Sequence, residues 1–185
     1  MSNQFSINKK IMRVQKTLFA FLLFTFLFSM NSFSQERTNV IKANPFALAF
    51  GSFNATYEKV LNSKSSLLFS GSYAYKLLNT DVSAGGLGVG YRYYFTHAKK
   101  EVPSGFWVNP QASFEAGSLT DNGTKHNLSA FAIGAQIGYQ WAWASGFTLD
   151  LGIGPNYVTM NSSDYDFETG SGIMPAATLA IGFAF

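Results

Sequence analysis

The chain has no cysteine and only 12% charged residues among its 185. Without cysteine there is no disulfide framework, no thiol nucleophile, no thiolate metal site and no lipoprotein anchor. Charge is scarce by the standard of soluble domains, where about a quarter of residues carry one. Two histidines, His97 and His126, stand far apart in sequence, so no metal site is expected either. No cofactor motif replaces it. The Gly85–Gly90 run, Gly-Gly-Leu-Gly-Val-Gly, lacks the following helix that a phosphate-binding loop requires, because Tyr91-Arg92-Tyr93-Tyr94-Phe95 continues with strand alternation. Its glycines read as inward positions that leave room for neighbouring side chains.

What the chain has in excess is aromatic: 17% of residues, with 19 Phe against 10 Asp and Glu together. The basic residues are concentrated at the start. Lys9, Lys10, Arg13 and Lys16 precede an apolar run from Thr17 to Met30, followed by Asn-Ser-Phe-Ser-Gln at 31–35. A charged segment, a short apolar segment and small residues at a cut site make a secretory signal. The run is shorter than the roughly 20 residues of a spanning helix. Cleavage is expected after Ser34, which divides the chain into a signal, 1–34, and one domain, 35–185. The cut removes four of thirteen basic residues and no acidic ones, leaving 9 against 10. The mature domain is therefore near neutral, and nucleic acid is not an expected partner.

After residue 35 no helical period appears, and the apolar residues alternate. Eight segments are expected as strands: 40–50, 53–61, 67–76, 85–95, 105–116, 128–143, one beginning at Phe147, and 173–185. The last reads Ile173, Pro175, Leu179, Ile181, Phe183 and Phe185 on one face, and Ala176, Thr178, Ala180, Gly182 and Ala184 on the other. One face of each strand is large and apolar; the other is tiny or polar. A soluble barrel would hide its large face inside. Here that face carries too many aromatics for a narrow interior. The pattern predicts an all-β, eight-stranded, antiparallel up-and-down transmembrane barrel, with the small face inward.

With both termini periplasmic, the periplasmic turns fall at 62–66, 97–104 and 144–146. The outer loops fall at 51–52, 78–84, 117–127 and 160–172. Outward aromatics then gather at two levels, as interfacial girdles do.

Four segments carry a resemblance: Ile-Lys-Ala-Asn-Pro-Phe (41–46), Ala-Thr-Tyr-Glu-Lys-Val-Leu (55–61), Gly-Val-Gly-Tyr-Arg-Tyr-Tyr-Phe (88–95) and Ser-Gly-Phe-Trp-Val-Asn-Pro (104–110). They resemble a family of small outer-membrane barrels of unknown function, and the architecture is similar to the OmpA and OmpX type. The resemblance implies a bacterial outer membrane, contact with its lipid and lipopolysaccharide, and a monomer, but no activity. The ending on Phe185 resembles the closing strand that the barrel-assembly machinery reads.

Six charges are expected to face inward as a structural network. Lys42, Glu58, Arg92 and Asp150 lie toward the periplasm, while Lys76 and Glu115 lie near the outer end. Arg92 is expected as the hub, contacting Glu58 first and Glu115 as the second choice, and Lys76 is expected to pair with Glu115. A non-enzymatic structural or surface-interaction role follows. The competing reading is a lipid A-modifying enzyme using His126, Ser129 and a carboxylate, Asp121 or Glu115. The loop at 160–172, with Asp164, Asp166 and Glu168, reads first as a charged, solvated loop, with contact to lipopolysaccharide-bound cations or a partner as the alternative.

Overall fold

The computed structural model describes residues 37–77, 80–121, 124–162 and 170–185. The expected signal, 1–34, and the acidic run at 164–168 lie outside them. Eight strands form one closed antiparallel barrel in sequence order: β1 (Asn39–Ala43), β2 (Ser52–Asn62), β3 (Ser65–Leu77), β4 (Thr80–Tyr94), β5 (Gly105–Asp121), β6 (Thr124–Ala142), β7 (Phe147–Ser162) and β8 (Ser171–Ala184). Closure comes from β1 against β8, through Val40↔Ala184 to Ala43↔Ile181. Two backbone bonds extend this seam: Asn39 N–H to Phe185 O at 3.0 Å, and Phe185 N–H to Asn39 O at 2.8 Å. Closing the sheet leaves no unpaired edge.

Several boundaries differ from the sequence expectation. The first strand stops at Ala43 instead of running to Phe50, and Ala47–Phe50 form one 3₁₀ turn. Pro45 cannot donate to a ladder, and the Asn44 side chain accepts the backbone N–H groups of Phe46 and Ala47, turning the chain. Gly51 then takes φ +79°, a conformation that glycine adopts without steric cost. The expected loop at 117–127 is mostly strand: β5 and β6 pair continuously from Gly105↔Gln140 to Asp121↔Thr124. Similarly β4 begins at Thr80, and β7 reaches Ser162. Polar residues at these tips hid the strands from a hydropathy pattern, although the hairpin ladder continues.

Prolines mark where the ladders thin. The β4–β5 pairing omits Tyr91 and Arg92, opposite Pro110, and the β6–β7 pairing omits Ala135 and Gln136, opposite Pro155. A missing N–H gives the physical reason.

The alternation places large apolar side chains on the outside. Leu87 is 76% exposed, Ile173 78%, Ile153 63% and Ile137 62%. Most of the large buried side chains are instead polar or charged, Lys42, Glu58, Arg92, Gln140, Thr148 and Asp150, with Trp107, Tyr94, Val40 and Leu68 beside them. This barrel is inverted relative to a soluble fold.

Candidate functional site

The end of the barrel where β1 begins and β8 ends holds a compact polar cluster. Lys42 projects from β1, Glu58 from β2, Arg92 and Tyr94 from β4, Trp107 from β5, Gln140 from β6 and Asp150 from β7. Each sits on the inward parity of its strand, so alternation alone delivers all of them to the same interior.

Lys42 Nζ donates to Glu58 Oε2 at 2.7 Å, to Gln140 Oε1 at 2.8 Å and to Asp150 Oδ2 at 2.6 Å. All three ammonium donors are thereby used. Arg92 reaches Asp150 Oδ2 at 2.9 Å and Gln140 Oε1 at 2.7 Å, and lies 3.5 Å from Glu58 Oε2. The other Glu58 oxygen accepts from Tyr94 Oη at 2.6 Å and from Ser66 Oγ. The second Asp150 oxygen accepts from Trp107 Nε1 at 3.0 Å. Two cations and two carboxylates thus share one buried cluster with no net charge, the condition under which burying charge is tolerable.

Trp107 forms the floor on which this rests. Its ring lies 3.9 Å from the Arg92 guanidinium carbon, a cation–π stack. The indole fits because β6 and β7 present glycine beneath it. A Cβ at Gly138 would sit 2.3 Å from Trp107 Cζ2, and one at Gly152 would sit 2.3 Å from Cη2. Gly138 and Gly152 face one another in the register, and Trp107 is paired with Gly138. The large inward residue and the two empty positions are one packing unit.

Toward the other end lies a cavity of about 270 Å³. Asn44, Asn54, Gln111, Ser113 and Asn156 are among its polar lining, and Lys42, Arg92 and Asp150 bound it at the cluster. It has room for several water molecules with polar partners. Two atoms are left without a partner in the cluster: Arg92 Nε and Thr148 Oγ1.

Of the six expected charges, the structure brings four together and leaves two out. The expected Arg92–Glu58 contact is present at 3.5 Å, but Arg92 shares the hub with Lys42, which makes as many contacts, and its shorter carboxylate partner is Asp150 at 2.9 Å. The expected Lys76–Glu115 pair does not form. The register shifts between Ala74 and Lys76, and both Tyr75 N–H and Lys76 N–H point at Gly51 O. That irregularity breaks the alternation, so Lys76 is exposed. Glu115 accepts from Ser72 Oγ at 3.2 Å instead. Tyr94, Trp107, Gln140 and Ser66 were not foreseen as network members. Their inward parity was legible, but which of them share a level depends on strand stagger.

The His126 and Ser129 pair does not converge. They lie three apart on β6, and the unbroken register puts such residues on opposite faces. The Asp121 side chain lies outside the described residues. Among the described residues, no group of three metal-ligating side chains forms. No described helix is long and apolar enough to cross a membrane, which says nothing about crossing by strands.

The fold and its interior define a closed eight-stranded β-barrel with a charge-neutral polar core and an apolar outer wall. The chain belongs to a family described as a protein of unknown function, DUF3575, whose model matches residues 18–177. Comparison with curated proteins and with solved structures gives no match.

Proposed function

We propose that the chain is an integral outer-membrane barrel of a bacterium, exported by residues 1–34, with both termini in the periplasm. Its role is non-enzymatic, structural or in surface interaction. The observation that carries this reading is the inversion of the wall. Leu87, Val89, Phe114, Phe131, Ile133 and Ile153 stand exposed together. In water they would form a contiguous apolar patch, the kind of surface that in soluble proteins marks a contact with another molecule or a membrane. A hydrocarbon surround removes that cost. Strands of 13 to 19 residues from β3 to β8 exceed the roughly 9–11 needed to span.

The shut interior argues against a solute channel. Fully buried Trp107, Arg92, Tyr94, Lys42, Gln140, Glu58 and Asp150 fill the lumen at the cluster, as side chains do in barrels of this strand number. Fractionation with outer membranes and a heat-dependent gel mobility test the location and closure; recovery as a soluble periplasmic protein would overturn it. Mass spectrometry of lipid A from deletion and overexpression strains tests the role. No change in acyl pattern is expected, whereas a change abolished by His126→Ala would establish the lipid A-modifying alternative.

A further inference from the structure

The terminal end of the barrel is ringed by cations that the interior cluster does not use. Arg37, Lys59, Lys64, Lys99 and Lys100 stand there, with Glu101 as the acidic residue among the described turns. None of the five is in an ion pair with a described carboxylate; the ion pairs of the described residues all belong to Lys42 and Arg92. The sequence at the opposite end leans the other way. Asp81, Asp121 and Glu115 stand on strands there, against Lys76 and Lys125. A chain of nearly neutral mature composition is therefore polarised along its axis.

Two of these cations are placed on the wall and not over the opening. Lys59 shares the outward parity of β2 with Phe53, Tyr57 and Leu61, and its Nζ donates to Asn39 Oδ1 at 3.0 Å, the atom that also accepts from Tyr57 Oη at 2.7 Å. Lys100 lies with Nζ 5.6 Å from the Tyr139 ring centre. That ring belongs to a contiguous aromatic strip: Phe95 against Phe106 at 6.3 Å, Phe106 against Tyr139 at 4.7 Å and Tyr139 against Trp141 at 4.4 Å.

We propose that this rim binds anionic phospholipid at two separate places on the barrel, with one headgroup phosphate at Lys100 and its acyl chains along the aromatic strip, and another at Lys59 beside Tyr57 on β2. The inference rests on the membrane reading above. A soluble anionic polymer would be met equally well by Lys64 and Lys99, which project from the turns. An amphiphile matches each of the two sites taken by itself, because Lys59 and Lys100 each stand beside a tyrosine at the edge of an apolar face. Long basic side chains and aromatic rings share this interfacial level in membranes, and each basic residue near an anionic surface favours it by about fivefold.

The test uses the full mature chain refolded in a zwitterionic detergent. Phosphatidylglycerol and phosphatidylcholine of identical acyl chains are added, and retained lipids are counted by native mass spectrometry. Phosphatidylglycerol should be retained about tenfold more. Lys59→Gln with Lys100→Gln should bring the two lipids within about twofold, while Lys64→Gln with Lys99→Gln should keep most of the difference. Should the first pair fail to close, as judged by heat-dependent mobility, the single variants and 0.5 M salt on the natural chain serve instead. Each single variant should lower the preference, and the salt should erase it. Equal retention by the natural chain, or a preference that survives the Lys59/Lys100 change, would overturn the proposal. So would displacement by an equal concentration of soluble glycerol phosphate, which would show that the wall contributes nothing. A chain that never shows heat-dependent mobility counts against the membrane barrel itself; a closed barrel without lipid preference counts against this inference alone.

Discussion

Glu58 shows how little freedom a residue of the buried cluster has. Its two oxygens take Lys42, Tyr94 and Ser66, with Arg92 at 3.5 Å, and none of its surface reaches solvent. Glu58→Gln keeps the shape and removes one negative charge, leaving two cations against Asp150 alone. The expected loss is about 3–5 kcal/mol, as for other stranded buried charges. Lys42→Met should lose a similar amount, and the double variant should lose clearly less than the sum, because the pair leaves together. Chemical denaturation in detergent reads all four corners of that cycle. The same cycle on Lys76→Gln and Glu115→Gln should be additive within about 0.5 kcal/mol. Coupling there would mean that the two side chains meet after all. The sequence showed which charges face inward, because parity is a local property. It did not show that Lys76 drops out, since a register shift at Ala74 depends on what Gly51 O accepts across the sheet.

At the scale of the strand, the most readable feature was alternation, and the least readable was height. Eight strands were countable from apolar periodicity, but the upper parts of β5 and β6, with Ser118, Thr120, Lys125 and Asn127, offer only Leu119 where an apolar face would reveal them. Their pairing is set by the hairpin ladder alone. Likewise, Trp107 and the glycines at 138 and 152 were each visible as inward residues, yet their meeting depends on stagger. This unit makes a direct test of register. Gly152→Ala puts a methyl group where Trp107 Cη2 lies, and overpacking of this kind costs about 1–3 kcal/mol. Trp107→Leu in the same chain should remove most of that additional penalty, although it also leaves Asp150 Oδ1 without its indole donor. Gly154→Ala, against the backbone of Ala135, should not be rescued by Trp107→Leu. Equal rescue at both positions would mean that the indole does not lie across β6 and β7 at this level.

For the barrel as a whole, the seam between β1 and β8 is where closure is thinnest. β1 has five residues, the fewest of any strand, and four register pairs join it to β8. Phe185 adds two backbone bonds to that seam, and at about 0.5–1.5 kcal/mol each its deletion should cost about 1–3 kcal/mol. Lys42 acts differently. It projects from β1 but bonds to β2, β6 and β7 through Glu58, Gln140 and Asp150, so it ties the shortest strand across the interior to the far wall. Arg37 adds a tie just before β1, donating to Trp143 O at 2.7 Å and to Ala144 O. Losing Lys42 also leaves two carboxylates facing one guanidinium, a larger penalty than two backbone bonds. The closed form should therefore convert to the open form at a lower temperature in Lys42→Met than after deletion of Phe185, with both below the natural chain. The readout is the compact band on unheated gels after incubation across a temperature series. If deletion of Phe185 proves the more damaging change, the seam's own ladder holds the barrel shut and the internal cluster merely fills it. If Lys42→Met converts at the natural temperature, the cluster contributes nothing to closure, and the charge pairs serve only to neutralise one another.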